Sequence, residues 1–159
     1  YTSREQSMEI FTERCKKFSN YANKKKVRLL IENNVCGLRN KKLKKSQLLL
    51  LSHIDEIEAF FKNMYGECGL LLDLAHLKVS ANNLDFDLQE AVQRLLPFTQ
   101  GLHLSENDGF EDTNEFFDEN SWFLKYIKQF RKLEYVAIET KKASVKELEK
   151  MYELVVQNL

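Results

Sequence analysis

Proline occurs once in this 159-residue chain, glycine five times and cysteine three times. So little proline and glycine leaves no linker and no low-complexity segment. Cys15, Cys36 and Cys68 are scattered, odd in number and without a C-x-x-C pair. That argues against a disulfide framework and for a reducing, cytoplasmic setting. No histidine stands beside them in sequence, so a nucleophilic role is not expected. No apolar run approaches the roughly 18–20 residues of a membrane span. The first residues carry no apolar h-region and no initiator methionine, and they open directly on a helical pattern. A signal peptide is therefore not expected, and a truncated chain is. Net charge is absent as well, with 24 basic and 24 acidic residues. No global field favours nucleic acid or an anionic membrane. Neither G-x-x-x-x-G-K-[ST] nor G-x-G-x-x-G occurs, which excludes the usual nucleotide-binding loops.

What is present is an ordinary globular composition, 43% hydrophobic and 30% charged, enough for one core over residues 1–159. Charge is uneven along the chain. Residues 24–45 hold nine basic groups and one acid, and residues 106–119 hold seven acids and no base. Both read as solvated loops or helix faces. Periodicity predicts a helix over 2–18, a strand over 27–33, and a helix capped by Ser46 that carries Leu50, Ile54, Ile57 and Phe61. It then predicts a strand over 70–73, a helix over 87–96 stopped by Pro97, and a strand over 101–105. A helix over 120–130, a strand over 135–140 and a helix from Ser144 to Val156 complete the pattern. Strands separated by helices must run parallel. His53 falls within the second helix as a surface or packing residue. Trp122, Phe123, Tyr126 and Phe130 have helical spacing and belong to the core, while Phe116 and Phe117 are candidates to wall a pocket.

The alternation inside each strand says more. One face reads Val27, Leu29, Ile31; Leu70, Leu72; Leu102, Leu104; Val136, Ile138, all aliphatic and suited to packing against helices. The other face reads Leu30 then Glu32; Gly69, Leu71 then Asp73; Gly101 then His103; Tyr135, Ala137 then Glu139. It ends each time in a group that can bind a metal. Catalytic groups in parallel α/β folds collect at the carboxyl ends of strands. One acid there is unremarkable, but four metal-binding groups in phase on four consecutive strands are hard to obtain by chance.

Leu29-Leu30-Ile31-Glu32-Asn33-Asn34, Gly69-Leu70-Leu71-Leu72-Asp73-Leu74-Ala75-His76, Leu102-His103-Leu104-Ser105-Glu106-Asn107-Asp108-Gly109 and Val136-Ala137-Ile138-Glu139 resemble the metal-bearing strands of the xylose-isomerase-like superfamily. The resemblance implies an α/β fold, a (β/α)8 TIM barrel of which this chain holds about four βα units, apparently the C-terminal half. It also implies that Glu32, Asp73, His103 and Glu139 hold one divalent metal, and that His76 contacts substrate or a second metal. Three carboxylates and one imidazole suit Mn²⁺, Mg²⁺, Co²⁺ or Zn²⁺. A closed eight-stranded barrel takes about 250 residues, so either an N-terminal half or a second copy in a homo-oligomer is expected to complete it.

The implied activity is isomerisation or epimerisation of a sugar or sugar phosphate by proton transfer through an enediolate, with Glu32 and Glu139 as the catalytic pair and a small carbohydrate as the partner. The runner-up is a metal-dependent apurinic endonuclease or phosphodiesterase. The lysines between Lys41 and Lys45 could then meet phosphates. Some relatives carry Asp-x-His where this chain reads Asp112-Thr113-Asn114, which weakens that reading and leaves Asp112 open as a ligand, with a solvated loop acid the favoured alternative. Epimerase relatives often place an arginine a few residues after the His103 position to hold a substrate hydroxyl; this chain has Gly109 in that neighbourhood, which leaves substrate recognition unexplained. A third class, iron-dependent oxidases of peptides, shares Gly69-Leu70-Leu71-Leu72-Asp73 followed by Val79-Ser80-Ala81, but often has asparagine in place of His76. A non-catalytic barrel is the fourth.

Overall fold

A computed structural model describes residues 2–43 and 48–159. They run α1 (Arg4–Lys24), β1 (Leu30–Glu32), α2 (Leu38–Lys41), α3 (Ile54–Asn63), β2 (Gly69–Asp73), α4 (Leu74–Leu84), α5 (Leu88–Leu95), β3 (Thr99–Leu104), α6 (Leu124–Ile127), β4 (Tyr135–Ile138) and α7 (Val145–Asn158). The strands form one parallel sheet in the order β1-β2-β3-β4. The fold is therefore α/β, as the alternation of periods predicts. Among the described residues no helix is long and apolar enough to cross a membrane.

The helix-facing side of the sheet is dry. Leu70, Leu72, Leu102 and Leu104 are fully buried in one cluster with Ile57, Phe61, Leu77, Val92, Leu95, Phe123, Met151 and Val155. Each such side chain contributes about 1.5–3 kcal/mol relative to exposure. The other side is only half covered, and Tyr135 on it is 50% exposed. Its two glycines let neighbours close over the strands. A Cβ on Gly101 would stand 2.8 Å from Leu30 Cδ1 and 2.9 Å from Leu71 Cδ1. Leu30 and Leu71 thus form an apolar floor across the middle of the sheet.

Several expectations need correction. β1 is three residues long, and Val27 lies outside it at 58% exposure. The helix assigned to a Ser46 cap begins instead at Ile54. Ser46 itself lies outside the described residues, as do Lys44 and Lys45 of the lysine-rich stretch. His53 is not inside that helix but is its N-cap, its Nδ1 accepting the Asp55 N–H at 3.2 Å. The 87–96 helix is preceded by α4, which starts directly after β2 with no loop. Because Leu74, Ala75, Leu77, Val79, Ser80 and Ala81 are all buried, α4 lacks the polar stripe that marks a surface helix. Of the 120–130 helix only α6 is helical, although Phe123, Tyr126 and Phe130 are buried as expected.

Candidate metal centre

The functional candidates sit where the parallel strands end. Asp73 pairs with His103 in register across β2 and β3, so their side chains rise from the same face at the same height. Glu32 ends β1, and Glu139 follows β4, its N–H donating to the Leu104 carbonyl at 3.0 Å. One ligand atom from each of Glu32, Asp73, His103 and Glu139 lies within 4.8 Å of all the others. His103 Nδ1 is 3.0 Å from Glu32 Oε1, 2.8 Å from Glu139 Oε2 and 3.9 Å from Asp73 Oδ2. All four residues singled out from the strand pattern are thus brought together. The centre lies at a rim. Glu139 is half exposed and Asp73 fully buried.

Asp73 divides its two oxygens between tasks. Oδ1 caps α4 by accepting the His76 N–H at 2.8 Å. Oδ2 is buried and has no hydrogen-bond partner. Leaving a buried carboxylate oxygen unpaired costs roughly 1–3 kcal/mol or more, so an atom in this state marks a position suited to a cation. The donor set agrees with that. Carboxylate oxygens and one imidazole suit a hard or borderline divalent ion, and the cluster contains no thiolate to suggest a Cys-type zinc site.

His76 joins the same cluster from the first turn of α4. Its Nδ1 donates to the Asn33 carbonyl at 2.9 Å, and its Nε2 lies 3.5 Å from Asp112 Oδ2 and 3.9 Å from Asp73 Oδ2. Of the two readings of Asp112, the structure favours the one that places it at the cluster over the solvated loop acid. The acidic segment folds back over the strand ends, pinned by the antiparallel bridge Glu106–Glu115 and by Lys78, which donates to Glu106 and to the Asn107 carbonyl. The Lys141 N–H also donates to the Asn114 carbonyl at 2.8 Å. Asp112 Oδ1 is likewise buried without a partner. Phe116 and Phe117 do not wall this site. Phe116 is exposed, and Phe117 packs into the core on Phe123 and Met151.

Charge at the site is compensated internally. Burial pushes the Asp73 carboxyl up to about 6, with repulsion from Glu32 adding to it and His76 and His103 opposing. On His76 burial pulls downward, yet Asp112, Asp73 and the Asn33 carbonyl outweigh it and raise the imidazole to about 9. His103 is raised by its hydrogen bond to Glu32, partly offset by burial, and the same bond lowers Glu32. The bond to His76 lowers Asp112. The acids around them thus shift both imidazoles toward protonation.

The role of Asn33 escapes sequence reasoning, and so does the approach of Asp112, an open ligand candidate, to His76. Asn33 is visible in its motif only as a flanking residue, and Asp112 depends on a loop whose path no periodicity reports. A cavity of about 300 Å³ lined by Arg28, Phe61, Tyr65, Phe98, Gln100 and Lys132 lies at the opposite, amino-terminal ends of the strands and takes no part in the centre.

Fold and site together define an α/β protein with a candidate carboxylate–histidine metal centre at the carboxyl edge of a parallel sheet. No family model and no curated protein matches the chain. Among solved structures it is similar to the TTHB071 protein from Thermus thermophilus, a structure described as soaked with ZnCl2. Identity is 18% and the TM-score 0.63, over 99% of this chain and 57% of that one. The chain thus spans little more than half the length of that neighbour, and the likeness is one of fold.

Proposed function

We propose that the protein is a divalent-metal-dependent isomerase or epimerase of a sugar or sugar phosphate, of the xylose-isomerase-like type, its sheet forming half of a (β/α)8 barrel. The observation that carries this reading is the meeting of Glu32, Asp73, His103 and Glu139 ligand atoms within 4.8 Å at the carboxyl edge of the sheet. The strand order adds support. A doubly wound sheet reverses its order at a switch point, whereas β1-β2-β3-β4 runs straight through, so right-handed crossovers keep the helices on one face and the sheet can roll.

A bound divalent ion would supply Lewis-acid polarisation of a sugar carbonyl and its neighbouring hydroxyl. The protein's own contribution is proton transfer and orientation. Glu32 and Glu139 come from the two outer strands and both reach His103 Nδ1. Each carboxylate has a second oxygen with which to carry a proton. One removes the proton α to the carbonyl and the other returns one, so that return to the same carbon epimerises and return to the neighbouring carbon isomerises through an enediolate. His76 Nε2, held beside Asp73 and Asp112, is placed to meet a substrate oxygen. Leu30, Leu71 and Tyr135 supply the apolar floor beneath.

The test is incubation of the protein with Mn²⁺ and a panel of aldoses, ketoses and their phosphates in D₂O. Deuterium should enter at carbon in at least one sugar, and Glu32→Gln and Glu139→Gln should each lower that exchange by about 10²–10⁴-fold. No carbon-bound deuterium across the panel would sink the proposal. A second reading, metal-assisted hydrolysis of a phosphodiester at an abasic site, is favoured by one observation. Asp112 stands 3.5 Å from His76 beside the first cluster, as a hydrolytic site with more than one ion would need. Its signature would be salt-dependent binding of abasic DNA, and an affinity that is absent or insensitive to salt removes it.

A further inference from the structure

We propose that Asn33 is the positioning residue of the metal centre: it aligns Asp73 and His76 in one piece, and through them sets the affinity of the site for a divalent cation. This rests on the metal-binding part of the reading above and is independent of the sugar chemistry.

The geometry is specific. Asn33 is 1% exposed and stands one residue past the end of β1, where regular pairing with β2 stops at Glu32 and Leu71. Its side chain takes over the ladder. The Asp73 N–H donates to Asn33 Oδ1 at 2.8 Å, and Asn33 Nδ2 donates to the Asp73 carbonyl at 3.1 Å. A primary amide presents an acceptor and a donor side by side, as a neighbouring strand would. The backbone of Asp73 is therefore held on both its polar groups at the point where β2 turns into α4. Any swing there would carry Oδ2, the unpartnered oxygen, away from His103.

The main chain of the same residue acts on His76. A carbonyl oxygen accepts and never donates, so the 2.9 Å contact requires the proton on His76 Nδ1. Nε2 is then the nitrogen that faces Asp73 and Asp112. One buried asparagine thus holds a ligand through its side chain and sets the working nitrogen of a neighbouring histidine through its backbone. Glu32, the adjacent residue, is itself a candidate ligand, so any shift of residue 33 moves three members of the cluster together. Groups that orient metal ligands typically change affinity by about 10–100-fold when removed.

The experiment compares Mn²⁺ binding, by calorimetry and by the EPR signal of free ion, for the wild type, Asn33→Ala and Asn33→Asp. The aspartate is isosteric, keeps the acceptor for the Asp73 N–H and loses the donor to its carbonyl; its added charge alone would strengthen cation binding, so weaker binding by this variant reports lost positioning. Ile57→Ala, at a fully buried position on α3, controls for loss of stability alone. Both Asn33 variants should bind Mn²⁺ at least about tenfold more weakly, while Ile57→Ala at comparable melting temperature stays within about twofold of wild type. Nitrogen-15 spectra of the His76 ring, recorded above its pKa of about 9 where the ring is neutral, should show the proton on Nδ1 in the wild type and a mixture of tautomers in Asn33→Ala, whose residue-33 carbonyl is no longer held in place by the amide's bonds to Asp73. Folded Asn33 variants with wild-type Mn²⁺ affinity overturn the proposal while leaving the metal centre standing. A wild type that binds none of Mn²⁺, Co²⁺ or Zn²⁺ overturns both. A wild type that binds metal and exchanges no sugar proton removes only the isomerase reading.

Discussion

Asp73 concentrates the conflict between stability and function in this protein. Its carboxyl serves as helix cap and as a buried, half-unsatisfied acid at once. Asparagine caps a helix as well as aspartate does, so Asp73→Asn should keep the fold while removing the buried charge. The pH dependence follows from the sign of the shift. Because the folded carboxyl titrates near 6, above its ordinary value of 3.8, the metal-free folded state holds its proton longer than the unfolded chain. That contribution is complete below about pH 4 and is lost as pH rises through 6. With metal removed by EDTA, Asp73→Asn should therefore gain on wild type between about pH 4 and 7, by on the order of 1–3 kcal/mol, as read from urea unfolding. With Mn²⁺ present the order should reverse, since only the wild type is stabilised. A mutant that gains as much stability from Mn²⁺ as the wild type would show that Asp73 is not a ligand.

The elements carry simpler expectations. α7 starts with a reciprocal capping box in which Ser144 Oγ accepts the Glu147 N–H and Glu147 Oε2 accepts the Ser144 N–H. Ser144→Ala should cost about 1 kcal/mol in urea unfolding and leave metal affinity unchanged. The inner face of the sheet is less tolerant. Gly101 accepts the tips of Leu30 and Leu71 where a Cβ would sit, so Gly101→Ala should destabilise by about 1–3 kcal/mol through overpacking. An alanine variant as stable as wild type would mean that this floor is loosely packed. Helix boundaries show how far periodicity reaches. Ser144 stands before a clean amphipathic run, and the cap falls where that run begins. α4 escapes the pattern because a helix buried nearly all round carries no stripe. His53 replaces a serine or threonine as cap, a use of imidazole that no propensity scale would suggest.

For the molecule as a whole, the candidate centre spans the sheet from one outer strand to the other. Glu32 belongs to β1 and Glu139 follows β4, with β2 and β3 between them. A cation held by all four residues would tie the sheet across its full width, so its binding should stabilise globally. At a hundredfold excess over Kd that amounts to about 2.7 kcal/mol, or a rise of roughly 5–10 °C in melting temperature for a chain of this size. EDTA should abolish the rise. Hydrogen exchange should slow in β1 and β4 together on adding Mn²⁺, and protection of one outer strand alone would show that no such tie is formed.

The strand ends are legible from the amino-acid order alone, because side chains alternate along a strand with a period of two and four consecutive strands each place a ligand type in the same phase. The α/β class follows from the same alternation. The division of labour between the two Asp73 oxygens, the approach of Asp112 to His76 and the grip of Asn33 on its neighbours are decided only in three dimensions. Those depend on where a strand stops, how a loop returns and which amide happens to lie opposite, and the Asn33–Asp73 contacts join residues 40 positions apart with no local pattern to announce them.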